Sequence, residues 1–130
     1  MSRSAIRSER GAKARRDGRS AEIIAALWLM LKGWRILGMR LKTPQGEIDL
    51  LARRGCVLAV VEVKRRETME AALGAVTATQ RERLRRAGAA LAARRPDLKT
   101  CAVRLDLLAI GPRALPRHIA DAWPEGGGRA

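Results

Sequence analysis

The sequence contains no phenylalanine or tyrosine, only one histidine and only two cysteines, and these absences exclude several classes of protein. Aromatic stacking on nucleic-acid bases would depend on three tryptophans, which lie within or beside apolar patterns and are expected to pack in the core. Cys56 and Cys101 show no CxxC spacing, which excludes zinc fingers and disulfide scaffolds and favours reduced thiols. The single histidine, His118, has no serine or cysteine partner in a pattern typical of a catalytic triad.

Acidic side chains are also scarce, because 13 Asp and Glu stand against 27 Lys and Arg, a formal net charge of +14. No apolar run approaches the roughly 18 residues of a membrane span, and the basic N-terminal segment lacks the apolar stretch of a secretory signal. We therefore expect a cytoplasmic protein without a membrane partner. The charge predicts salt-dependent binding to nucleic acid, most directly DNA. The alternative is that arginine reflects the coding bias of a GC-rich genome and serves solubility.

The apolar content, 47% of the residues, suits one domain with one sizeable core. We expect that domain over residues 20–123, after a basic, disordered arm at 1–19 and before a flexible, Gly-rich tail at 124–130. The first helix is apolar nearly all round and should be covered on more than one face. The order αβββαβ predicts an α/β fold, a mixed sheet flanked by helices. The predicted elements are a helix at 21–32, strands at 34–42, 47–53 and 57–64, a helix at 77–95, a strand at 100–110 and a short helix at 117–123.

Asp49, Glu62 and Lys64 lie on two consecutive predicted strands and form the most informative group. Side chains alternate faces along a strand, so Glu62 and Lys64 share one face. A two-residue turn at 54–55 would set Asp49 diagonal to Glu62, whereas a turn at 55–56 would set the two directly opposite. Either register places both carboxylates on one face, and a three-residue loop without a bulge would separate them.

Two neighbouring carboxylates repel each other unless a cation compensates them, and Mg²⁺ is the natural cation, with Mn²⁺ as a substitute. The backbone carbonyl of Val63 could supply a third oxygen. Lys64 is then placed to hold or help deprotonate an attacking water, which suits phosphodiester hydrolysis. The alternative is an ordinary ion pair of Lys64 with Glu62 or Asp49 at a strand end.

Two further acids lie on predicted strands. Glu47 shares a face with Asp49 in a regular strand, so it is either a neighbour of the site or a surface charge. Asp106 shares a face with Arg104, and we expect these two side chains to form an ion pair rather than a metal site.

Seven segments, spread over a span from about Gly18 to Trp123 that makes up about four-fifths of the chain, follow one another in the order of a known family: Glu22, Gly33–Trp34, Gly46–Leu50, Val61–Arg66, Val76–Thr77, Arg104–Asp106 and Ala122–Trp123. With them the chain resembles the bacterial YraN-like family, viewed as candidate endonucleases similar to archaeal Holliday junction resolvases. The resemblance implies the restriction-endonuclease-like fold and its PD-(D/E)xK site, with Asp49, Glu62 and Lys64 in the three lettered positions. It also implies that Glu22 joins the metal shell. Gln80 stands where the family usually has Lys.

The residue pattern and the resemblance together predict a Mg²⁺-dependent endonuclease that acts on DNA. Branched and non-duplex DNA are among the expected substrates. A nuclease acting on symmetric junctions would need two sites, which favours a homodimer. The alternative function is a non-catalytic nucleic-acid-binding module on the same fold. Six arginines are candidates to bind phosphates, unless they form a solvated face: Arg65, Arg66, Arg81, Arg83, Arg85 and Arg86.

Overall fold

The computed structural model describes residues 19–113 and 115–124, which form helices on both faces of a sheet. The predicted α/β class with a mixed sheet is confirmed. The predicted arm at 1–19 and tail at 124–130 lie outside the described residues, apart from residues 19 and 124. The helices are α1 (19–31), α2 (Met69–Gly74) and α3 (Ala78–Arg94), and the strands are β1 (Arg35–Thr43), β2 (Gly46–Arg54), β3 (Val57–Arg65), β4 (Ala102–Ile110) and β5 (Pro116–Ile119).

The strands are ordered β1-β2-β3-β4-β5 across the sheet. Neighbouring strands are antiparallel except β3 and β4, which run parallel and are connected through α2 and α3. β3 is the central strand, and its residues 58–63 are all buried. This burial explains its apolar sequence without alternation, because a central strand is covered on both faces.

Each face of the sheet carries its own apolar core. On one face, α2 and α3 pack over side chains such as Val60 and Leu107. On the other face, α1 packs through Leu29 over side chains such as Val61 and Leu108. The helix α3 lies very close to β3, because a Cβ added at Gly88 would stand 2.7 Å from the Val60 side chain. A larger residue at position 88 would therefore push α3 away from the sheet.

The helix ends follow local signals in the sequence. α1 ends at residue 31, and Gly33, two positions later, has a φ of +90°, while the next backbone N–H, of Trp34, donates to the Leu29 carbonyl at 3.0 Å. α3 begins with a capping box, in which the Gln80 N–H donates to Thr77 Oγ1 and the Thr77 N–H donates to Gln80 Oε1, both at 3.1 Å. These two ends confirm the predicted stop and start.

The C-terminal segment differs from its prediction. The short helix expected at 117–123 is wrong, because residues 116–119 form β5 at the edge of the sheet. His118 pairs in register with Leu108 of β4, and its Nε2 lies 2.8 Å from the buried Asp106 carboxylate. Pairing with a strand already in place overrides the weak helical pattern of the segment.

The expected covering of α1 on more than one face is also wrong for the described residues. Its inner side is buried, with Leu29 fully enclosed, but Ile23, Leu27 and Met30 are each more than half exposed. The described part of the chain places no other element against that side of α1. Despite its apolar surface, no helix among the described residues is long and apolar enough to cross a membrane.

Candidate active site

The β2–β3 hairpin sets the geometry of the predicted acidic pair. Leu50 pairs with Val61 and Arg54 pairs with Val57, so the two-residue turn lies at 55–56. Gly55 makes this turn possible with a φ of +59°. The pairing of β2 with β3 ends at Leu50 and Val61, one residue before Asp49 and Glu62. Of the two turns that the sequence left open, the structure therefore has the one at 55–56.

Asp49, Glu62 and Lys64 line one cavity of about 330 Å³ on the α3 side of the sheet. The structure thus brings together the three residues that the sequence predicted as a catalytic group. The β1–β2 turn and the first turns of α3 complete the walls of this site cavity, through Gln45, Gly46, Glu47, Gln80, Arg83 and Leu84. Glu47 lines the site cavity and is also exposed, so it is both a neighbour of the site and a surface charge.

A backbone N–H of β3 holds the Asp49 carboxylate beside that strand. The Val63 N–H donates to Asp49 Oδ2 at 3.0 Å, so this hydrogen bond orients the side chain toward β3. Burial nevertheless raises the pKa of Asp49 above its usual value, because it outweighs that hydrogen bond, and the Glu22 charge raises the pKa further. Additional positive charge near Asp49 would therefore stabilise its ionised form.

Glu62 is the more buried member of the pair, at 5% exposure. Burial, followed by the charge of Asp49, raises the pKa of Glu62 to about 8, and the Lys64 charge offsets only part of that rise. The described residues contain no direct ion pair of Lys64 with Glu62 or Asp49, so the ordinary strand-end ion pair is not what the structure contains. Two acids thus share a site whose positive charge is too small for both to ionise near neutral pH.

Glu22 is buried on α1 but is not gathered with the other two acids as a third ligand. The Nε of Arg40 donates to both Glu22 carboxylate oxygens, at 2.8 and 2.9 Å. Arg40 reaches it from an unusual backbone position, with a φ of +51°. In the part of the chain that the structure describes, no three acid, histidine or cysteine side chains are grouped closely enough to hold a metal ion together.

Sequence reasoning missed two residues beside the acids. Gln45 lines the site cavity, and its buried Oε1 accepts no hydrogen bond from the described residues. The turn pattern around Gln45 identified its place in the chain but not its orientation. Arg40 gave no signal either, because its partner Glu22 lies 18 positions away and the contact depends on the positive φ of Arg40.

The donors in the site cavity fit a hard divalent cation. Asp49 and Glu62 supply carboxylate oxygens in a partly desolvated position, and Gln45 adds an amide oxygen without a partner. Hard cations such as Mg²⁺ prefer a few oxygen ligands of this kind and keep several waters. The raised pKa values of both acids show a local shortage of positive charge, which a divalent ion would relieve.

A protein-family model described as "Uncharacterised protein family UPF0102" matches residues 21–110, a span that contains the two acids and Lys64. The chain belongs to the UPF0102 family. It is 65% identical over 118 residues to a UPF0102 protein of Caulobacter vibrioides (strain NA1000 / CB15N), covering 91% of this chain and 94% of that protein. A UPF0102 protein of Caulobacter sp. (strain K31) is 62% identical over 125 residues, covering 96% and 90% of the two chains. A relative in Paramagnetospirillum magneticum (strain ATCC 700264 / AMB-1) is 52% identical over 114 residues, or 85% and 88%.

This UPF0102 chain distributes its six predicted phosphate-binding arginines over different surfaces. Arg83 alone of the six lines the site cavity with the acids. Arg66 lines another cavity, beside α2, and Arg65 is exposed at the end of β3. The remaining three, Arg81, Arg85 and Arg86, line a groove between α3 and Trp123, which we call the α3 groove.

A third buried acid, Asp106, differs from Glu62 because hydrogen-bond partners surround its carboxylate. Asp106 is fully buried, and Arg104 donates to both of its oxygens at 2.8 and 2.9 Å, which confirms the predicted ion pair. The Asp121 N–H also donates to it at 2.9 Å, and His118 lies 2.8 Å away. Burial would raise the pKa of Asp106, but these partners together lower it. Asp106 is therefore a fully satisfied structural carboxylate, in contrast to Glu62.

Proposed function

We propose that this UPF0102 protein is a metal-dependent endonuclease that hydrolyses DNA phosphodiester bonds at Asp49, Glu62 and Lys64. The observation that carries the proposal is the pair of neighbouring carboxylates in one open cavity, with raised pKa values and a lysine in the same lining. Structural acids are normally satisfied by partners, as Asp106 is, so an acid pair left short of positive charge points to a bound cation. The resemblance of the sequence to YraN-like candidate endonucleases supports the same function.

Asp49, Glu62 and the Val63 carbonyl would hold Mg²⁺, or Mn²⁺ in its place, and Glu22 would join them only after releasing Arg40. When bound, the ion supplies positive charge that stabilises the extra negative charge on the phosphate in the transition state. The Val63 N–H fixes Asp49, so that acid needs little reorganisation on binding.

Lys64 is the residue placed to act on the attacking water. It follows Glu62 by two positions on β3, so both side chains project from the same face into the site cavity. In the proposed reaction Lys64 holds the water and helps pass its proton to solvent. The water oxygen then forms a bond to phosphorus while the bond from phosphorus to the leaving sugar oxygen breaks, and that oxygen takes a proton from solvent.

Arg83 is the arginine best placed to hold the scissile phosphate. It is exposed on α3 and lines the site cavity opposite the acids. A guanidinium can bind two phosphate oxygens at once, which fixes the phosphate relative to the water. The five other predicted arginines would contact phosphates further along the DNA.

A non-catalytic DNA-binding module is the second candidate, and the Glu22–Arg40 contact favours it. That contact occupies the carboxylate that the resemblance assigns to the metal shell. With it in place, the site offers two acids rather than three. A basic platform of this kind would bind DNA without cutting it.

The experiment that separates the candidates is a cleavage assay on labelled duplex, single-stranded, flap and four-way-junction DNA with Mg²⁺ or Mn²⁺. We expect the parent to cut at least one substrate. Asp49→Ala should lower the single-turnover cleavage rate by about 100-fold or more, because it removes a ligand and charge at the reacting phosphate. DNA affinity in Ca²⁺, measured by fluorescence anisotropy, should change less than about threefold.

Glu70→Ala is the matched control, because it removes one negative charge from an exposed position on α2. It should cut as fast as the parent. Cleavage by Asp49→Ala at the parental rate would contradict the assignment. Tight, salt-sensitive binding without cleavage of any substrate would identify the non-catalytic module instead.

A further inference from the structure

Two cysteines lie side by side at the end of the sheet opposite the acidic pair. The Sγ atoms of Cys56 and Cys101 are 3.8 Å apart. Cys56 immediately precedes β3 and Cys101 immediately precedes β4, and the Ala102 N–H donates to the Cys56 carbonyl at 2.9 Å. Neighbouring strands are about 4.8 Å apart, which lies within the 4.4–6.8 Å between Cα atoms that a disulfide spans. A disulfide therefore requires side-chain rotation and no rearrangement of the sheet.

The two thiols differ in their access to solvent. Cys56 lies in the β2–β3 turn and is exposed, whereas Cys101 is buried beneath it. Burial raises the pKa of the Cys101 thiol, and its hydrogen bond with Cys56 raises that pKa further. An oxidant from solvent therefore reacts with Cys56 first. The Cys101 sulfur is close enough to react with Cys56 afterwards.

We propose that Cys56 and Cys101 are a redox-active thiol pair that hydroperoxides convert into an intramolecular disulfide. The Cys56 thiolate attacks one peroxide oxygen, the O–O bond breaks, and Cys56 becomes a sulfenic acid as hydroxide leaves. Cys101 then gives its proton to solvent, and its sulfur attacks the Cys56 sulfur as the S–O bond breaks and water leaves. With hydrogen peroxide, two thiols lose two electrons and two protons in total, and two waters form.

The disulfide would act on the scaffold and not on the chemistry of the acids. Cys56 is six residues before Glu62, so a distance of roughly 20 Å along β3 separates the thiols from the acids. The bond would tie the hairpin turn to the start of β4 and enclose β3, α2 and α3 in one covalent loop. A loop of that length strongly restricts the unfolded chain. Oxidation should therefore stabilise the fold, whether or not the protein is a nuclease.

The test is treatment of the reduced, full-length protein with a few equivalents of hydrogen peroxide. Intact mass spectrometry should show a loss of about 2 Da, and peptide mapping should show the Cys56–Cys101 bond. The melting temperature should rise by about 5–10 °C and return to its starting value with dithiothreitol. A disulfide between two chains, or a Cys56 sulfinic acid formed while Cys101 still reacts with maleimide, would overturn the proposal.

Two variants assign the order of the steps. Cys56→Ser should lose both the mass change and the rise in melting temperature. Cys101→Ser, or Cys101→Ala if the serine variant does not fold, should accumulate a Cys56 sulfenic acid that dimedone labels. Labelling of Cys101 rather than Cys56 in the matching experiments would show that the proposed order is wrong.

Discussion

For the acid pair, the sequence predicted that the two side chains share a face but not which strand register they have. Asp49 and Glu62 are 13 positions apart in one hairpin, so strand alternation together with a two-residue turn brings them to one face. The sequence left two registers open, because Gly55 belongs to either turn and both turns satisfy the alternation; the strand pairing of the structure shows the turn at 55–56. The Glu22–Arg40 contact was not predictable, because it joins α1 to a bend in β1 that no pattern marks.

The raised pKa of Glu62 predicts a pH-dependent cost in stability when no divalent ion is present. The pKa is about 8 in the folded chain against an ordinary 4.5, so the folded state holds the proton more tightly than the unfolded state. The contribution of Glu62 to the free energy of unfolding should be highest below pH 4.5 and be lost as the pH rises through about 8. Glu62→Gln should therefore be more stable than the parent at pH 9, by about 1–3 kcal/mol, and nearly equal to it below pH 4.5.

Thermal denaturation in EDTA between pH 4 and pH 9 measures this difference. Glu70→Gln is the control, since it removes the same charge from an exposed position and should show no comparable pH dependence. A Glu62→Gln variant that is less stable than the parent at pH 9 would mean that the acid is stabilised, not strained, in the folded chain.

At the scale of elements, the strongly patterned parts of the fold were predictable and the edge was not. The apolar run of β3, the stop at Gly33 and the Thr77 capping box each carry a local signal, and each matches the structure. The strand β5 has no such signal. It forms because β4 offers a pairing edge and because His118 reaches Asp106, 12 positions earlier in the chain.

Asp106 should therefore be the residue that fastens β5 and the following turn to β4. Asp106→Ala should lower the free energy of unfolding by about 3 kcal/mol, because it leaves Arg104 and the Asp121 N–H without their buried acceptor. Since the Asp106 pKa is lowered in the folded chain, the stabilisation of the parent should be present above its usual pKa of 3.8 and be lost as the pH falls further.

Urea denaturation at pH 7 provides the measurement for Asp106. Asp97→Ala is the control, because Asp97 also pairs with an arginine but is exposed, so its loss should cost much less than the loss of Asp106. Equal costs for the two variants would show that Asp106 does not fasten the edge of the sheet.

At the scale of the whole molecule, the +14 charge is the property most easily obtained from the sequence, although its distribution is not. The structure separates Arg83 in the site cavity from the arginines of the α3 groove. Composition alone cannot distinguish these arginines, because the side chains at positions 81, 83, 85 and 86 are of one type and differ only in the direction in which they project from α3. The fold therefore determines which arginine can reach the reacting phosphate.

The charge predicts DNA binding that weakens steeply with salt, and the position of Arg83 predicts a separate effect on cleavage. Arg83→Ala should reduce the slope of log K against log[salt] by about one and also lower the single-turnover cleavage rate by about tenfold. Fluorescence anisotropy at several salt concentrations gives the slope. Lys99→Ala, an exposed charge in the loop before β4, should leave cleavage unchanged. An equal loss of cleavage in both variants would show that Arg83 contributes only bulk charge.

The central claim is that the neighbouring carboxylates of Asp49 and Glu62 hold a divalent metal ion beside Lys64. Anomalous diffraction from crystals of the full-length protein soaked in Mn²⁺ tests this claim most directly. The account predicts an anomalous peak between the Asp49 and Glu62 carboxylates, lost in Asp49→Ala crystals and kept in Glu70→Ala crystals. Well-ordered Asp49 and Glu62 carboxylates without a peak between them, at Mn²⁺ concentrations that support cleavage, would contradict it.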